Sequence, residues 1–104
     1  MSVSQLTLMR PAPGRLEDFL ARLRTAKGLY EKNGARVHTF RTIAGAEPSG
    51  VLFSATVDDW DAWAAGAKAA ESNEEYIAFR REVANDPAAE IVANAILEEF
   101  ELPS

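Results

Sequence analysis

The sequence predicts an α+β fold in which a four-stranded antiparallel sheet carries helices on one face. Two regions place apolar residues at three- and four-residue spacing, which is typical of helices packed on a core. Four shorter segments are rich in apolar and β-branched residues, which is typical of strands. Their order, β-α-β-β-α-β, is the ferredoxin-like pattern, and right-handed crossovers bring all four strands into one sheet.

The first strand and the first helix are predicted within residues 3–33. The strand covers residues 3–9 and is ended by Pro11 and Pro13, because proline cannot continue a sheet ladder. The helix covers residues 15–33, with Phe19 and Leu23 on its apolar face. Gly34 ends this helix, since glycine adopts the left-handed conformation at a helix end without a steric penalty.

A β-hairpin is predicted next. Its strands cover residues 35–44 and 51–57, and both are rich in β-branched and aromatic side chains. The segment between them, residues 45–50, has the sequence GAEPSG, a composition typical of a turn. A connection this short joins antiparallel neighbours.

The second helical region is predicted to begin at Asp58, whose carboxylate would accept hydrogen bonds from the exposed amides of the first turn. Ser72 and Glu75 have the spacing of a capping box, so a fresh helix is predicted to start there. Pro87 ends this helix, because the residue before a proline avoids the helical conformation. A last strand is predicted over residues 91–102, about twice the usual strand length.

Length, charge and composition restrict the function of this 104-residue chain. The length predicts a single domain, residues 1–104. A net charge of −5 removes the attraction on which binding to nucleic acid or to an anionic membrane depends. Cysteine is absent and histidine occurs once, which excludes thiolate chemistry and every metal motif with two histidines. We predict no metal site and no cofactor. Without a signal-peptide pattern or a long apolar run, we expect a cytoplasmic protein.

The sheet is predicted to expose an apolar face. In either register, the first, third and last strands place apolar side chains on the face that the helices leave open. An exposed apolar sheet face normally marks a binding partner. We therefore expect a homodimer that forms through the open sheet face and the last strand.

Three consecutive segments carry a resemblance to a known group of proteins. They are residues 36–42 (RVHTFRT), residues 45–50 (GAEPSG) and, after the intervening strand, residues 58–63 (DDWDAW). This pattern is similar to that of NIPSNAP-like domains. The order of elements resembles the wider dimeric α/β-barrel superfamily, which includes antibiotic-biosynthesis monooxygenase-like domains. The resemblance implies a dimeric α/β barrel and, as in the monooxygenase relatives, a cleft between helix and sheet that holds an aromatic substrate.

His38 is the candidate catalytic residue, because histidine is the side chain that changes charge near neutral pH. It lies in the middle of the predicted second strand. If the strand register turns it into a pocket, it is a general base. Otherwise it is a surface or hydrogen-bonded residue of an edge strand, which is the interpretation that we favour.

Trp60 and Trp63 are candidate ligand-binding residues. Three positions apart on one helix, they would line a cleft between the helix and the sheet. The alternative, which we favour for at least one of them, is packing into the core. If Trp60 is buried, its replacement by alanine should cost about 3–5 kcal/mol.

Arg41, Tyr76 and Asn94 complete the set of candidate ligand-binding residues. Arg41 either clamps a carboxylate of a ligand or, as we favour, pairs with an acidic residue across the hairpin. Tyr76 either donates a hydrogen bond inside a pocket or, as we favour, lies on a helix face with its hydroxyl at the surface. Asn94 lies within an apolar strand, where it either fixes the register through a hydrogen bond or lines a pocket.

The sequence therefore predicts a small homodimeric protein that binds a small apolar or aromatic ligand. The alternative is a cofactor-independent monooxygenase or isomerase acting on an aromatic or polyketide-like substrate. The two hypotheses differ in one structural requirement, since an enzyme needs a cavity that brings a base such as His38 together with a hydrogen-bond donor.

Overall fold

Four antiparallel strands and three helices make up the protein, which is described here from a computed structural model covering residues 1–45 and 47–103. The elements are β1 (Val3–Pro11), α1 (Leu16–Lys32), β2 (Arg36–Arg41), β3 (Val51–Val57), α2 (Trp60–Ser72), α3 (Glu74–Asn85) and β4 (Ala89–Glu98). The strand order across the sheet is β2-β3-β1-β4. The predicted α+β, ferredoxin-like fold is confirmed.

The three helices cover one face of the sheet, and the core lies beneath them. Thr7 of β1 lies opposite Phe53 of β3, and Val37 of β2 lies opposite Ala55. Residues paired in this way share a face of the sheet. Phe53 and Val37 are buried against Ala26 of α1, which places the core between β2, β3 and α1. The residues that share this helix-covered face are Val3, Gln5, Thr7, Met9, Val37, Thr39, Arg41, Val51, Phe53, Ala55 and Val57.

The opposite face of the sheet, which we term the open face, is apolar at its centre. Its members on β1, β2 and β3 are Ser4, Leu6, Leu8, Arg36, His38, Phe40, Leu52, Ser54 and Thr56, and β4 adds Ala93, Ala95 and Leu97. The hydroxyl groups of Ser4 and Thr56 lie 2.7 Å apart and share a hydrogen bond. Phe40 is 54% exposed and Leu97 is 48% exposed, so part of this face meets water in the single chain.

The strand ends differ from those predicted. Pro11 is the last residue of β1, opposite Ala89 of β4, so the strand extends two residues beyond its predicted end at residue 9. The amide of Ala12 donates to the carbonyl of Ala88, so it faces β4. Successive amides of a strand alternate in direction, so an amide at Pro11 would face β3, and proline has none to donate. The pairing of β3 with β1 starts only at Val51, opposite Met9, and no bond of the ladder is lost.

The last strand was predicted too far towards the C-terminus. It covers Ala89–Glu98 instead of residues 91–102. A final backbone bond runs from the amide of Glu99 to the carbonyl of Ser2, and β1 has no residue beyond this point to pair with. Phe100 and Leu102 consequently lie outside the sheet and are exposed.

Two helix caps lie one residue after their predicted positions. Asp59, not Asp58, caps α2, because its carboxylate accepts a hydrogen bond of 2.8 Å from the amide of Ala62. Asn73, not Ser72, caps α3 by accepting from the amides of Glu75 and Tyr76. The neighbouring residues have other partners, since the Asp58 carboxylate pairs with Arg36 at 2.7 Å.

The hairpin connection is longer than predicted. The second strand ends at Arg41 instead of residue 44, although the amide of Thr42 still donates to the carbonyl of Gly50. Of the predicted turn, residues 45–50, position 46 lies outside the described residues. Within the described ranges, no helix has the length and hydropathy that crossing a membrane requires.

Candidate functional site

A cavity of about 340 Å³ lies between the sheet and all three helices. Its floor is formed by Gln5 of β1 and by Ala55 and Val57 of β3. Its walls are formed by Ala26, Leu29, Tyr30 and Asn33 of α1, by Ala62, Trp63, Gly66, Ala67 and Ala70 of α2, and by Tyr76, Phe79 and Arg80 of α3. We term this space the helix–sheet cavity.

Small residues on α2 create the cavity. Ala62, Gly66 and Ala70 face the sheet where larger side chains would fill the space. No residue of α2 is buried, so this helix covers the sheet without packing tightly on it. The alanine-rich sequence of residues 60–70 is the signal that could have located the cavity, because a helix that contributes few bulky side chains leaves a gap.

Tyr30 and Tyr76 form the polar part of the cavity wall together with Asn33 and Arg80. The centroids of the two tyrosine rings are 5.7 Å apart, and Tyr76 is only 4% exposed. Burial raises the pKa of Tyr76, and the neighbouring Tyr30 raises it further, while the side-chain amide of Asn33 acts in the opposite direction. Burial also raises the pKa of Tyr30, opposed by the charge of Arg80. Both phenols are therefore protonated at neutral pH and can donate hydrogen bonds.

Trp63 and Tyr76 are the two predicted site residues that line this cavity. The surface position that we favoured for Tyr76 is wrong. The Tyr76 side chain is buried, and its ring packs against the ring of Tyr30 on α1. Gln5, Tyr30, Asn33 and Arg80 were not recognised in the sequence. Tyr30 lies on the apolar stripe of the first helix, and that spacing is equally typical of an ordinary core residue.

Trp60 lies beside the cavity instead of lining it. Its ring meets Trp63 edge to face at 5.7 Å, and its indole N–H donates to the carboxylate of Glu98 on β4. The side chain is 46% exposed, so core packing is wrong for this tryptophan. The cost predicted for a buried Trp60 accordingly does not apply.

His38 lies on the other side of the sheet from the cavity. It is on the open face of the edge strand β2, opposite Ser54, and is exposed. The sheet itself separates its imidazole from Trp63 and Tyr76. A catalytic role for His38 in the helix–sheet cavity is therefore wrong, and the alternative of an edge-strand histidine describes its position.

Arg41 and Asn94 also lie away from the cavity. Arg41 forms no ion pair with any residue that the structure describes, so the expected pair across the hairpin is wrong. The nearby acidic residue of the hairpin connection, Glu47, is held instead by Arg10 through bonds of 2.6 and 2.8 Å. Asn94 lies on β4, opposite Thr7 of β1. Its side chain is exposed and can bond to water, so it needs no hydrogen-bond partner within the protein.

Comparisons with solved structures find the same arrangement of elements. An uncharacterised NIPSNAP domain protein from Burkholderia xenovorans superposes with a TM-score of 0.71 at 19% identity, over 100% of this chain and 99% of that one. A NIPSNAP family protein from Agrobacterium tumefaciens has a TM-score of 0.70 at 16% identity, over 97% and 95%. A variant of SnoaB, a cofactor-independent oxygenase from Streptomyces nogalater, has a TM-score of 0.67 at 12% identity, over 97% and 95%.

The chain has the ferredoxin-like fold of these NIPSNAP and oxygenase proteins. The expected resemblance is thus confirmed at the level of the fold. No protein-family model and no curated protein sequence matches the chain. Among residues 1–45 and 47–103 of this ferredoxin-like chain, no group of three or more His, Asp or Glu side chains is placed to hold a metal ion.

Proposed function

We propose that this protein binds a small aromatic molecule in the helix–sheet cavity. The observation that carries the proposal is the composition of the cavity wall. Trp63, Tyr76 and Phe79 surround a space of about 340 Å³, next to the small residues of α2. Ligand cavities in proteins usually measure roughly 300–1,000 Å³ and are mostly apolar with a few convergent polar groups. The volume is at the lower end of this range and suits a bicyclic aromatic molecule.

The polar groups of the wall determine which aromatic molecule fits. Tyr30 and Tyr76 can donate hydrogen bonds, because a phenol is neutral at physiological pH and burial raises the pKa of both residues further. Arg80 adds a positive charge at the same part of the wall. A ring that carries a hydroxyl, carbonyl or phenolate oxygen therefore suits the cavity better than a plain hydrocarbon does.

A matched pair of glycine variants tests the cavity. Gly66 lines the cavity and Gly28 lies on the exposed side of α1, and a Cβ added at either position meets no atom within 4 Å. The Gly66→Leu variant should fill the cavity and abolish binding of 1-naphthol, followed through tryptophan fluorescence. The Gly28→Leu variant should bind as the wild type does. Equal binding by both variants would contradict the proposal.

We further propose that two copies of the chain associate through the open face and the last strand, as a dimeric α/β barrel. The centre of the open face, around Leu6, Leu8 and Leu52, carries no charge. Its rim carries two arginines that form ion pairs within the chain. Arg10 pairs with Glu47 and Glu90, and Arg36 pairs with Asp58. Because the rim arginines are paired within the chain, burial of the apolar centre is the contribution that would favour association with a second copy, despite the net charge of −5.

Native mass spectrometry tests the dimer and the ligand in one spectrum. The wild type should give a dimer mass, and a co-purified ligand would add its mass to the peak. The Leu52→Asp variant places a charge at the centre of the open face and should give a monomer. The control is Ile43→Asp, which changes a residue that is 83% exposed in the hairpin connection. A wild-type monomer at every concentration would rule out the dimer.

A cofactor-independent monooxygenase is the second candidate function, favoured by the fold shared with SnoaB. Such a reaction converts an activated CH2 group and O2 into a carbonyl group and water. The described cavity wall contains no carboxylate or imidazole, so the activated CH2 group would lose its proton to water, and Arg80 would stabilise the resulting anion until it reacts with O2. Oxygen consumption with an anthrone, abolished in the Gly66→Leu variant and kept in Gly28→Leu, would support this activity over binding alone.

A further inference from the structure

A second concave surface, at the other end of α1, has a different chemistry from the cavity. It is a groove of about 570 Å³ between the first half of α1 and the helix-covered face of the hairpin. Leu16, Leu20 and Leu23 line one side, and Val51, Thr39 and Arg41 line the other. We term this the α1 groove. Four aromatic side chains line the helix–sheet cavity beside small residues, whereas three leucines, Val51 and the one cation Arg41 line the α1 groove, with Phe40 as its only aromatic residue.

The leucine side of the groove is unusually exposed for aliphatic side chains. Leu16 is 53% exposed and Leu20 is 38% exposed, although both lie on the side of α1 that faces the hairpin. From Leu16 to Leu23 the helix advances roughly 10 Å at 1.5 Å per residue. The exposed aliphatic strip therefore has the length of a medium-length hydrocarbon chain.

Arg41 supplies the only charge among the side chains that line the groove, and that charge is uncompensated within the described residues. Glu47 is the acidic residue closest to it along the hairpin connection. Arg10 engages both carboxylate oxygens of Glu47, and the resulting hydrogen bonds lower the pKa of Glu47. Because Glu47 already binds Arg10 through both oxygens, the guanidinium of Arg41 can bind a carboxylate from outside the chain.

We propose that the α1 groove binds an aliphatic carboxylate, with the hydrocarbon chain along Leu16, Leu20 and Val51 and the carboxylate on Arg41. Arginine suits this role because its planar guanidinium can bind both carboxylate oxygens at once. The hydrocarbon chain gains free energy by covering the exposed leucines. In a chain with a net charge of −5, an anion without an apolar part would gain little from one exposed cation.

Octanoate, used below its micellar concentration, is the probe for this proposal, and backbone amide NMR shifts are the readout. Octanoate should shift the amides of residues 16–23 and 39–51, and octan-1-ol should bind more weakly. The Arg41→Gln variant should bind octanoate about tenfold more weakly, as expected for the loss of a hydrogen-bonded charge. Arg24→Gln is the matched control, since Arg24 is exposed on α1 and does not line the groove. It should bind as the wild type does.

Several results would overturn the proposal. They are the absence of binding, equal affinity for octanoate and octan-1-ol, an unchanged affinity in Arg41→Gln, and shifts confined to the residues around Trp63 and Tyr76. If a wild-type dimer covers the groove, octanoate should shift no amides in the wild type but should shift them in the Leu52→Asp monomer. That result too would overturn a ligand site. The Gly66→Leu variant should still bind octanoate, which separates this site from the helix–sheet cavity.

Discussion

Tyr30 of α1 and Tyr76 of α3 meet edge to face in the wall of the helix–sheet cavity, with their rings 5.7 Å apart and inclined by 79°. Tyr30 also contacts Phe53 of β3 at 5.4 Å. The pair therefore joins two helices to the sheet, and both residues line the cavity. Aromatic pairs with this geometry contribute about 0.5–1.5 kcal/mol beyond the area that they bury.

The two tyrosines, which are the only ones in the chain, should ionise unusually late. Burial raises the pKa of Tyr30 and of Tyr76 above the ordinary value of about 10. The unfolded chain loses these protons at the ordinary value. The contribution of the two tyrosines to the free energy of unfolding should therefore stay constant below about pH 10 and fall as the pH rises from there through the folded-state pKa.

Phenolate absorbance followed against pH measures this effect directly. The folded protein should ionise at higher pH than the protein in concentrated urea. The Tyr76→Phe variant keeps the ring contact with Tyr30 and should leave one late transition. Phenolate formation at the same pH in folded and unfolded protein would contradict the burial of the two hydroxyls.

The cap of α3 gives a second prediction, in which neighbouring residues should behave differently. Asn73 accepts hydrogen bonds of 2.9 Å from the amide of Glu75 and 3.3 Å from that of Tyr76. Asn73→Ala should lower the free energy of unfolding by about 1 kcal/mol, the usual value for losing an N-cap. Ser72→Ala should have a smaller effect, because the Ser72 hydroxyl only bonds to the carbonyl of Lys68 within α2. Urea denaturation compares the two, and a larger loss in Ser72→Ala would restore the capping box that the sequence predicted.

That difference shows what sequence patterns can and cannot predict in this chain. Strand and helix order followed from apolar periodicity, which a shift of one or two residues does not disturb. The cap required a choice between Ser72 and Asn73, both good N-cap residues. That choice depends on where the backbone leaves α2, which is set by tertiary packing.

The candidate site shows the same limit more strongly. Whether His38 faces the cavity depends on strand register, and a shift of one residue exchanges the two faces of the sheet. The helix–sheet cavity exists because α2 carries small residues such as Gly66, where a larger side chain would fill the space. Trp63 and Tyr76 could be singled out by their chemistry. Gln5 and Asn33 could not, because common polar residues gain their significance only from where the fold places them.

An ion-pair cluster at the start of α1 gives a prediction about acid stability. Asp86, which follows α3, accepts hydrogen bonds from Arg15 at 2.8 and 2.9 Å and contacts Arg22 as well. The hydrogen bonds from Arg15 hold the pKa of Asp86 below its ordinary value of 3.8. The stabilisation is therefore present above that ordinary value and is lost as the pH falls through the folded-state pKa.

Thermal unfolding of Asp86→Asn across pH measures this contribution. The wild type should have the higher Tm at neutral pH, and the two proteins should converge in strong acid. Because the Asp86 side chain is exposed, the difference should shrink in high salt. Glu101→Gln is the control, since Glu101 is exposed beyond β4 and should not change the profile. A constant difference between Asp86→Asn and wild type down to the lowest pH would show that the charge of Asp86 plays no part.

Two phenylalanines on opposite faces of the sheet give the last prediction, which separates folding from association. Phe53 is 6% exposed within the core, whereas Phe40 is 54% exposed on the open face. Phe53→Ala should lower the free energy of unfolding by about 3–5 kcal/mol at any protein concentration, because it leaves a cavity in the core. Phe40→Ala should leave the unfolding of the isolated chain almost unchanged and weaken self-association, because the proposed dimer would cover the Phe40 ring. Urea unfolding and sedimentation velocity, each over a range of concentrations, distinguish the two effects. A wild-type association constant in Phe40→Ala would mean that the edge strand β2 takes no part in self-association.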